Sequence, residues 1–454
     1  MKKFIAIFKN KEIVGRIVFT IAILAILRIG AQLVVPGVTV TDEFKEAMNT
    51  TSAFSLMNML GGGALQNFSV FALGVSPYIT SQIIIQLLSK DVLPALTELT
   101  KQGEQGRRKI EMATRYLTLM LGAVQAYGII MSMQNSNYVT VAGDDFWTYA
   151  YIILVLLAGT MLTMWLGDQI TSKGLGNGIS VIIFAGIVIN LPKQIAAAFQ
   201  KWVSVNLNHG NEELVKGVLQ FALYILVLLL IVAFVVFTEL AKRKIPVQNS
   251  GKSGGNNPTM AKASFLPIKL NSAGVIPVIF ASSIMMAPSV IASFISSDAA
   301  NADWLKIFSY SETVTMPWFN DQTWQMPWGL IIYLVLIVLF TFFYSSLQIN
   351  PPELAENFQK NGSYIPGITP GKETERYVAK VLNRVTCIGA LALMLIAALP
   401  VVITLTNVFG NDSSLALGGT GLIIVVGVAL EINTQIDGLL AGKSIEQIQQ
   451  GGRY

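Results

Sequence analysis

Apolar residues in this chain come in blocks of about twenty, separated by polar stretches that hold most of the lysines and arginines. The blocks lie near 17–35, 112–133, 146–166, 179–200, 215–238, 270–294, 327–347, 385–405 and 416–433. A helix rises about 1.5 Å per residue and the hydrocarbon core of a bilayer is about 30 Å thick, so each block predicts one crossing helix. One stretch breaks the pattern. "FSLMNMLGGGALQNFSVFALGVSPYITSQIIIQLL", from Phe54 to Leu88, holds no charged residue, yet a straight helix of that length would reach roughly 50 Å. It is too long for one span and too short for two with a turn, and Gly61, Gly62, Gly63, the Gln66-Asn67 pair and Pro77 punctuate it. Counted once, it brings the predicted spans to ten.

Composition places the chain among polytopic membrane proteins: 53% of its 454 residues are hydrophobic, 13% are charged, and the mean hydropathy is +0.59. Charge adds an orientation. With a cytoplasmic N-terminus, 25 of the 31 lysines and arginines fall on the cytoplasmic side and five outside, while Arg28 lies within the first span. The acidic residues divide 14 to 12, which leaves the inner face net positive and the outer face net negative. The positive-inside rule then expects both termini in the cytoplasm. No small-residue cleavage site follows the first apolar run, which ends at Pro36-Gly37, so it reads as a retained span.

Several chemistries find no residues. Ion-coupled transport needs an ionisable group at membrane depth, and none of the ten spans holds Asp or Glu in its interior. Zinc-type and paired-aspartate protease motifs are absent, and the single histidine, His209, lies in the polar loop "VNLNHGNEE", so no metal site is expected. Cys387, alone in an apolar run, predicts a buried inert thiol and no intramolecular disulfide. The "GKS" triplets at 251–253 and 442–444 lack the spacing of a phosphate-binding loop, and "GLGNG" at 174–178 predicts a flexible turn. No cofactor is called for, and any ATP-driven work must come from a partner.

What remains is polar in small ways. Gln82, Gln86, Gln125, Asn190, Ser282 and Ser283 are groups that form interhelical hydrogen bonds. Arg28, about eight residues or roughly 12 Å from the outer end of its apolar run, must snorkel or face a wet cavity. Three cytoplasmic loops are long and basic. They carry Arg107, Arg108 and Lys109 ahead of the third span, Lys242, Arg243, Lys244 and Lys252 between the sixth and seventh, and Lys372 and Arg376 between the eighth and ninth. Charge near lipid headgroups explains single residues. Loops of about thirty residues exceed mere connectors and suggest a protein or ribosome partner.

"LRIGAQLVVPGV", "GGGALQNFSVFALGVSPYITSQIIIQLL", "QGEQGRRKIEMATRYLT", "MWLGDQITSKGLGNGISVIIFAGIV", "FTELAKRKIPVQ", "LPIKLNSAGVIPVIFASSI" and "NPPELAENFQKNGSYIPGITPG" follow one another along nearly the whole chain. Together they resemble the bacterial SecY family. That resemblance implies an all-α polytopic membrane fold of ten transmembrane helices in two inverted pseudo-symmetric halves. The halves would be 17–200 and 215–433, joined by an outer loop 201–214. A cytoplasmic segment 1–16 precedes them, cytoplasmic loops about 239–268 and 348–384 interrupt the second half, and a cytoplasmic tail 434–454 follows.

The implied function is a protein-conducting channel that does no covalent chemistry. It would pass unfolded preproteins across the cytoplasmic membrane and release transmembrane helices sideways into lipid. The odd stretch becomes a re-entrant plug half-helix, about 54–72, including Leu60, Gly61, Gly62, Gly63, Ala64, Leu65, Gln66 and Asn67. A full helix, about 73–90, follows it. Motif by motif, a ring of aliphatic side chains at the pore's waist falls on Val75, Ile79, Ile179, Ile183, Ile279 and Ile424. A lateral gate between spans two and seven falls on Thr80, Gln125, Ser282 and Ser283. Implied partners are the small subunits SecE and SecG, the motor ATPase SecA or a ribosome on the basic loops, signal peptides, preproteins and the bilayer. No cofactor or metal is implied. Two positions depart from the family pattern: Thr369 in "PGITPG" stands where an Arg is expected, and "NSGKSGGNNPTMAKAS" is poor in Lys and Arg. An accessory paralogue with restricted substrates is therefore the alternative within the family. A broken-helix solute transporter is the alternative outside it, and the missing membrane carboxylates weigh against that reading.

Overall fold

The computed structural model describes residues 7–41, 44, 58, 61–89, 93–135, 138–141, 143, 145–205, 211–249, 264–295, 303–308, 327–405 and 419–451. Leu60, His209 and Lys252 lie outside these residues. The first half comprises α1 (Lys11–Gly30), β1 (Val38–Val40), α2 (Ser76–Ser89), α3 (Pro94–Lys101), α4 (Glu104–Asn135), β2 (Val139–Val141), α5 (Phe146–Lys173) and α6 (Gly178–Phe199). The second comprises α7 (Asn211–Leu240), β3 (Lys242–Asn249), β4 (Ser264–Lys269), α8 (Ile276–Ile295), α9 (Trp328–Gln348), α10 (Pro351–Lys360), β5 (Ser363–Tyr364), α11 (Lys372–Leu405) and α12 (Gly419–Gly451). Among the described residues, eight helices are long and apolar enough to cross a membrane: α1, α4, α5, α6, α7, α9, α11 and α12. The shorter α2 and the Pro288-containing α8 lie among them.

Local chemistry accounts for the helix ends. Asn10 caps α1 by accepting the Glu12 amide at 3.2 Å, and Asn177 caps α6 by accepting those of Ile179 and Ser180. At its other end α1 stops at Gly30, five residues before its apolar run does. The reason is tertiary: Val35 N–H donates to the Phe68 carbonyl at 3.1 Å and Val70 N–H to the Leu33 carbonyl at 3.0 Å. These bonds need residues 33–35 extended. Gly30 permits the contact, since a methyl there would fall 2.0 Å from the Phe71 ring.

Packing forms two halves. Within the first, α2 lies on α4, α4 on α5, and α5 on both α1 and α6; within the second, α7 lies on α12, α8 on α9, and α9 on α11. The halves meet along two seams. On one, α8 packs against α4 and more narrowly against α2; on the other, α12 packs against α6. The second seam is reinforced where α6 runs on into a π turn, Gln200–Ser204. Trp202 meets Tyr224 and Phe199 meets Phe221, each edge to face at 5.5 Å. Aromatic pairs of this geometry add about 0.5–1.5 kcal/mol beyond their area.

Four features differ from the sequence reading or add to it. The "GLGNG" turn is held firmly: Leu175 N–H donates to Thr20 Oγ1 at 3.1 Å, Gly178 N–H to Thr171 Oγ1 at 2.8 Å, and Gly176 N–H to Gln435 Oε1. It ties α1, α5 and α12 together. Cys387 is exposed rather than buried, on a face of α11 that also exposes Ile388, Leu391 and Leu395, because only one stripe of that helix reaches the core. The all-helical expectation omits a small sheet of strand order β4-β3-β5, in which Ile245 pairs with Leu266 and Gln248 with Tyr364. It joins the loops 239–268 and 348–384 into one lobe around Ile245, Ile268, Ile365, Val378 and Leu382. Residues 434–451, expected as a tail, continue α12.

A methyl on Gly159 of α5 would lie 1.9 Å from the Val70 carbonyl oxygen, whereas nothing lies within 4 Å of Gly15. Gly159→Ala should therefore lower the unfolding temperature in detergent, with an overpacking cost of about 1–3 kcal/mol. Gly15→Ala should leave that temperature unchanged or raise it. Equal effects would contradict the close approach of α5 to the segment before α2.

Candidate functional site

Between the halves lies one large apolar core, and aliphatic side chains from four helices enter it. Val75, Ile79, Ile183, Ile279 and Ile424 are buried members of this core, at 1, 5, 2, 9 and 2% exposure, and half-buried Ile179 packs against it. Their origins are the residue preceding α2, then α2, α6, α8 and α12. Ile179 and Ile183 share one face of α6, and Ile79 N–H donates to the carbonyl of Val75, the residue before α2, at 3.0 Å. The predicted waist residues are thus gathered in one core.

Beside it lies the segment 61–75. Its described part is a series of turns around a single 3-10 turn, Leu65–Asn67, where a half-helix was expected; Phe54–Met57, Met59 and Leu60 are outside the described residues. Gly62 and Gly63 have φ of +70° and +82°, which side-chain-bearing residues rarely adopt. Leu73–Val75 are still turn, so α2 opens at Ser76, with Pro77 in its first turn. Leu65 packs with Val35, Phe68, Ile130, Ile152 and Leu156, while Ala64 packs with Ala31 and Phe71. Gln66 and Asn67 are half-buried; the Gln66 N–H donates to Asn58 Oδ1 at 3.1 Å and the Asn67 amide to Gln32 Oε1 at 3.1 Å. No residue of α2 is exposed.

At the α2/α4–α8 seam the small polar groups behave differently from expectation. Thr80 donates its hydroxyl to Ser76 O at 3.1 Å, and Ser282 and Ser283 both donate to Ile279 O at 2.9 Å. Each bond stays within its own helix, so these hydroxyls do not bridge the seam. Asn190 does the same, donating to Gly186 O at 3.2 Å. Gln86 of α2 and Gln125 of α4 each keep a buried side-chain oxygen without a hydrogen-bond partner among the described residues. Buried acceptors left so are costly, and a seam holding one opens more readily than a fully paired core.

Comparison with known proteins gives the chain its family. The SecY family model matches residues 69–433. The chain belongs to the SecY family. Among relatives, it is 43% identical to the protein translocase subunit SecY of Mycoplasma capricolum, with 95% of this chain and 88% of that protein covered. It is 41% identical to that of Bacillus subtilis, with 95 and 96% covered. Two solved structures share its fold at 15–16% identity, each covering 93% of this chain and 91% of the other. One is a protein-conducting channel, at a TM-score of 0.61; the other comes from work on the SecY plug domain, described as stabilising the closed translocation channel and maintaining a membrane seal, at 0.63. This SecY family member is a multi-pass membrane protein.

The basic positions of this family member lie at the surface. Arg107, Arg108 and Lys109 are exposed at the start of α4, where Arg108 pairs with Glu104 at 2.8 Å and Arg107 with Glu111 at 3.4 Å. Lys242, Arg243 and Lys244 are exposed on β3, and Lys372 and Arg376 on α11. Thr369 acts locally. Its hydroxyl bonds Glu373 and its carbonyl accepts the Thr374 hydroxyl at 2.9 Å, which closes the turn that opens α11.

Sequence reasoning assigned no role to Glu239 and Asn271. Asn271, 3% exposed, donates to Glu239 Oε1 at 2.6 Å and to Gly274 O at 2.9 Å. Leu270 N–H donates to Ala241 O at 2.8 Å, and a methyl on Gly389 of α11 would lie 2.2 Å from Leu270 O. The start of α8 is thereby pinned to α7 and α11. The available signal was a lone acid at the end of an apolar run, which requires a partner when buried. Asn271→Leu strands that carboxylate and should remove about 1.5–3 kcal/mol of stability, read as a lower unfolding temperature in detergent. Ser272→Ala, whose hydroxyl bonds only the nearby Lys269 carbonyl, should change little.

Proposed function

We propose that the chain is the channel subunit of a Sec protein translocase, passing unfolded preproteins across the cytoplasmic membrane and releasing transmembrane helices sideways into lipid. The observation that carries the reading is the aliphatic core between the halves, to which α2, α6, α8 and α12 each contribute a predicted waist residue. A narrow apolar waist disfavours hydrated ions, which would lose water without a polar replacement, yet its flexible side chains can part around a peptide. It closes the path while leaving it usable.

In this reading Val75, Ile79, Ile179, Ile183, Ile279 and Ile424 form the pore ring, and Asn58 with residues 61–72 is the described part of the plug that seals it. The seam between α2/α4 and α8 is the lateral gate, where a hydrophobic signal helix competes with weak interhelical contacts that average about 0.6 kcal/mol each. The pinned start of α8 makes that helix swing from one end. Ten spans leave both termini and the β-lobe in the cytoplasm, consistent with the charge asymmetry. There Arg107, Arg108, Lys109, Lys242, Arg243, Lys244, Lys372 and Arg376 offer docking charge for SecA, whose ATP hydrolysis drives transport, or for a ribosome. SecE clamps the halves and SecG joins them.

Depleting the protein should cause secreted precursors to accumulate in the cytoplasm; normal export would exclude a translocase role. In planar bilayers, Ile79→Asn or Ile424→Asn should raise idle ion conductance at least several-fold, because a polar group hydrates the waist. Unchanged conductance in both would remove these residues from the ring.

A further inference from the structure

Arg28 is the charge that the membrane span could not explain, and the fold gives it surroundings. With α1 ending at Gly30, the residue sits in the helix's last turn, where a cation is favoured by the helix dipole. Its side chain points inward, to a cavity of about 40 Å³ lined by Leu24, Leu27, Ala31, Gly61, Gly62, Phe71 and residues of α5 and α6. A water needs roughly 10–15 Å³, so the cavity has room for a few water molecules beside the guanidinium. Among the described residues it forms no ion pair, and no Asp or Glu lines the cavity.

What it does meet is backbone. Arg28 Nη1 donates to the Gly62 carbonyl at 3.5 Å, and a methyl on Gly63 would stand 3.4 Å from the same nitrogen. On the opposite side, Gly186 of α6 approaches Gly62, its Cα 3.9 Å from where a Gly62 side chain would begin. The glycine turn is thus held between a cation on α1 and a bare patch of helix α6. Its positive φ values orient the Gly62 carbonyl in this arrangement, and larger residues would close the gap. A guanidinium suits the place because it donates to a carbonyl while its other N–H groups still face water.

We infer that Arg28 is a plug-positioning residue: its guanidinium latches the Gly61–Gly63 turn in the closed channel through the Gly62 carbonyl. The inference rests on the channel reading above. The latch is releasable, since the bond is long, the acceptor is neutral and cavity water replaces the carbonyl when the turn moves away. A carboxylate in the same place would hold the turn far more tightly, and the absence of one among the cavity-lining residues fits a segment that must leave on demand.

The test uses the channel complex in planar bilayers in symmetrical potassium chloride, with no precursor present. Arg28→Gln should raise idle conductance about tenfold, the weight of one charged hydrogen bond. Arg28→Met, which keeps the bulk and removes the charge, should do the same and serves if the glutamine variant does not accumulate. In a channel lacking residues 61–67, neither substitution should add to the leak, a non-additivity that a general loss of packing would not produce. Unchanged conductance in both folded variants, or an equal increase with and without residues 61–67, overturns the latch. Ile79→Asn in parallel separates the two levels. If it leaks while the Arg28 variants do not, the latch alone fails; if it too is silent, the assignment of Ile79 to the ring fails with it, and normal export on depletion is the result that would remove the channel reading itself.

Discussion

Every backbone amide and carbonyl at membrane depth must find a partner within the protein, because hydrocarbon offers none. Helices meet that demand automatically, and residues 61–75 do not form one. Much of the structure answers this single problem. The Gly63 N–H donates to Asn58 O at 2.7 Å, Ser69 N–H to Ala64 O at 3.1 Å, and Val35 and Val70 bridge the segment to the end of α1. The first helix is shortened to supply those bonds, Gly30 and Gly159 lose side chains to admit the segment, and α2 starts late and lies inside the bundle.

A second consequence concerns where stability is placed. The parts that hold still are tightly made: the "GLGNG" turn bonded to α1 and α12, the aromatic pairs of the α6–α7 seam, and the start of α8 fixed by Glu239 and Asn271. The parts that a channel must move are made loosely. At the α2/α4–α8 seam the hydroxyls bond their own helices, and two glutamine oxygens, those of Gln86 and Gln125, stay unpaired among the described residues. Arg28 belongs to this loose set, with a bond that water can replace.

The lobe shows the same division at the other level of the molecule. Two long loops, separated by two spans, close on each other through β3 and β5 and share a core of isoleucine, valine and leucine side chains. That core fixes the direction in which the exposed lysines and arginines of β3 and α11 point. Charge that looked topogenic in single residues is presented on a rigid platform, and Thr369 caps the turn beside Lys372.

The number and length of apolar blocks, their sidedness and the unsuitability of 54–88 for an ordinary span were legible from the chain alone. Transfer of apolar residues to hydrocarbon and attraction of cations to one face act residue by residue, so a one-dimensional pattern records them. The waist residues were legible only through resemblance, since an aliphatic side chain in a span is otherwise indistinguishable from its lipid-facing neighbours. Tertiary structure alone decided what meets what: Arg28 with Gly62, Glu239 with Asn271, Gly176 with Gln435, and Ile245 with Val378. Those pairs are 32 or more positions apart in the chain. Their meeting depends on where whole helices pack, a property that hydropathy and charge do not encode locally.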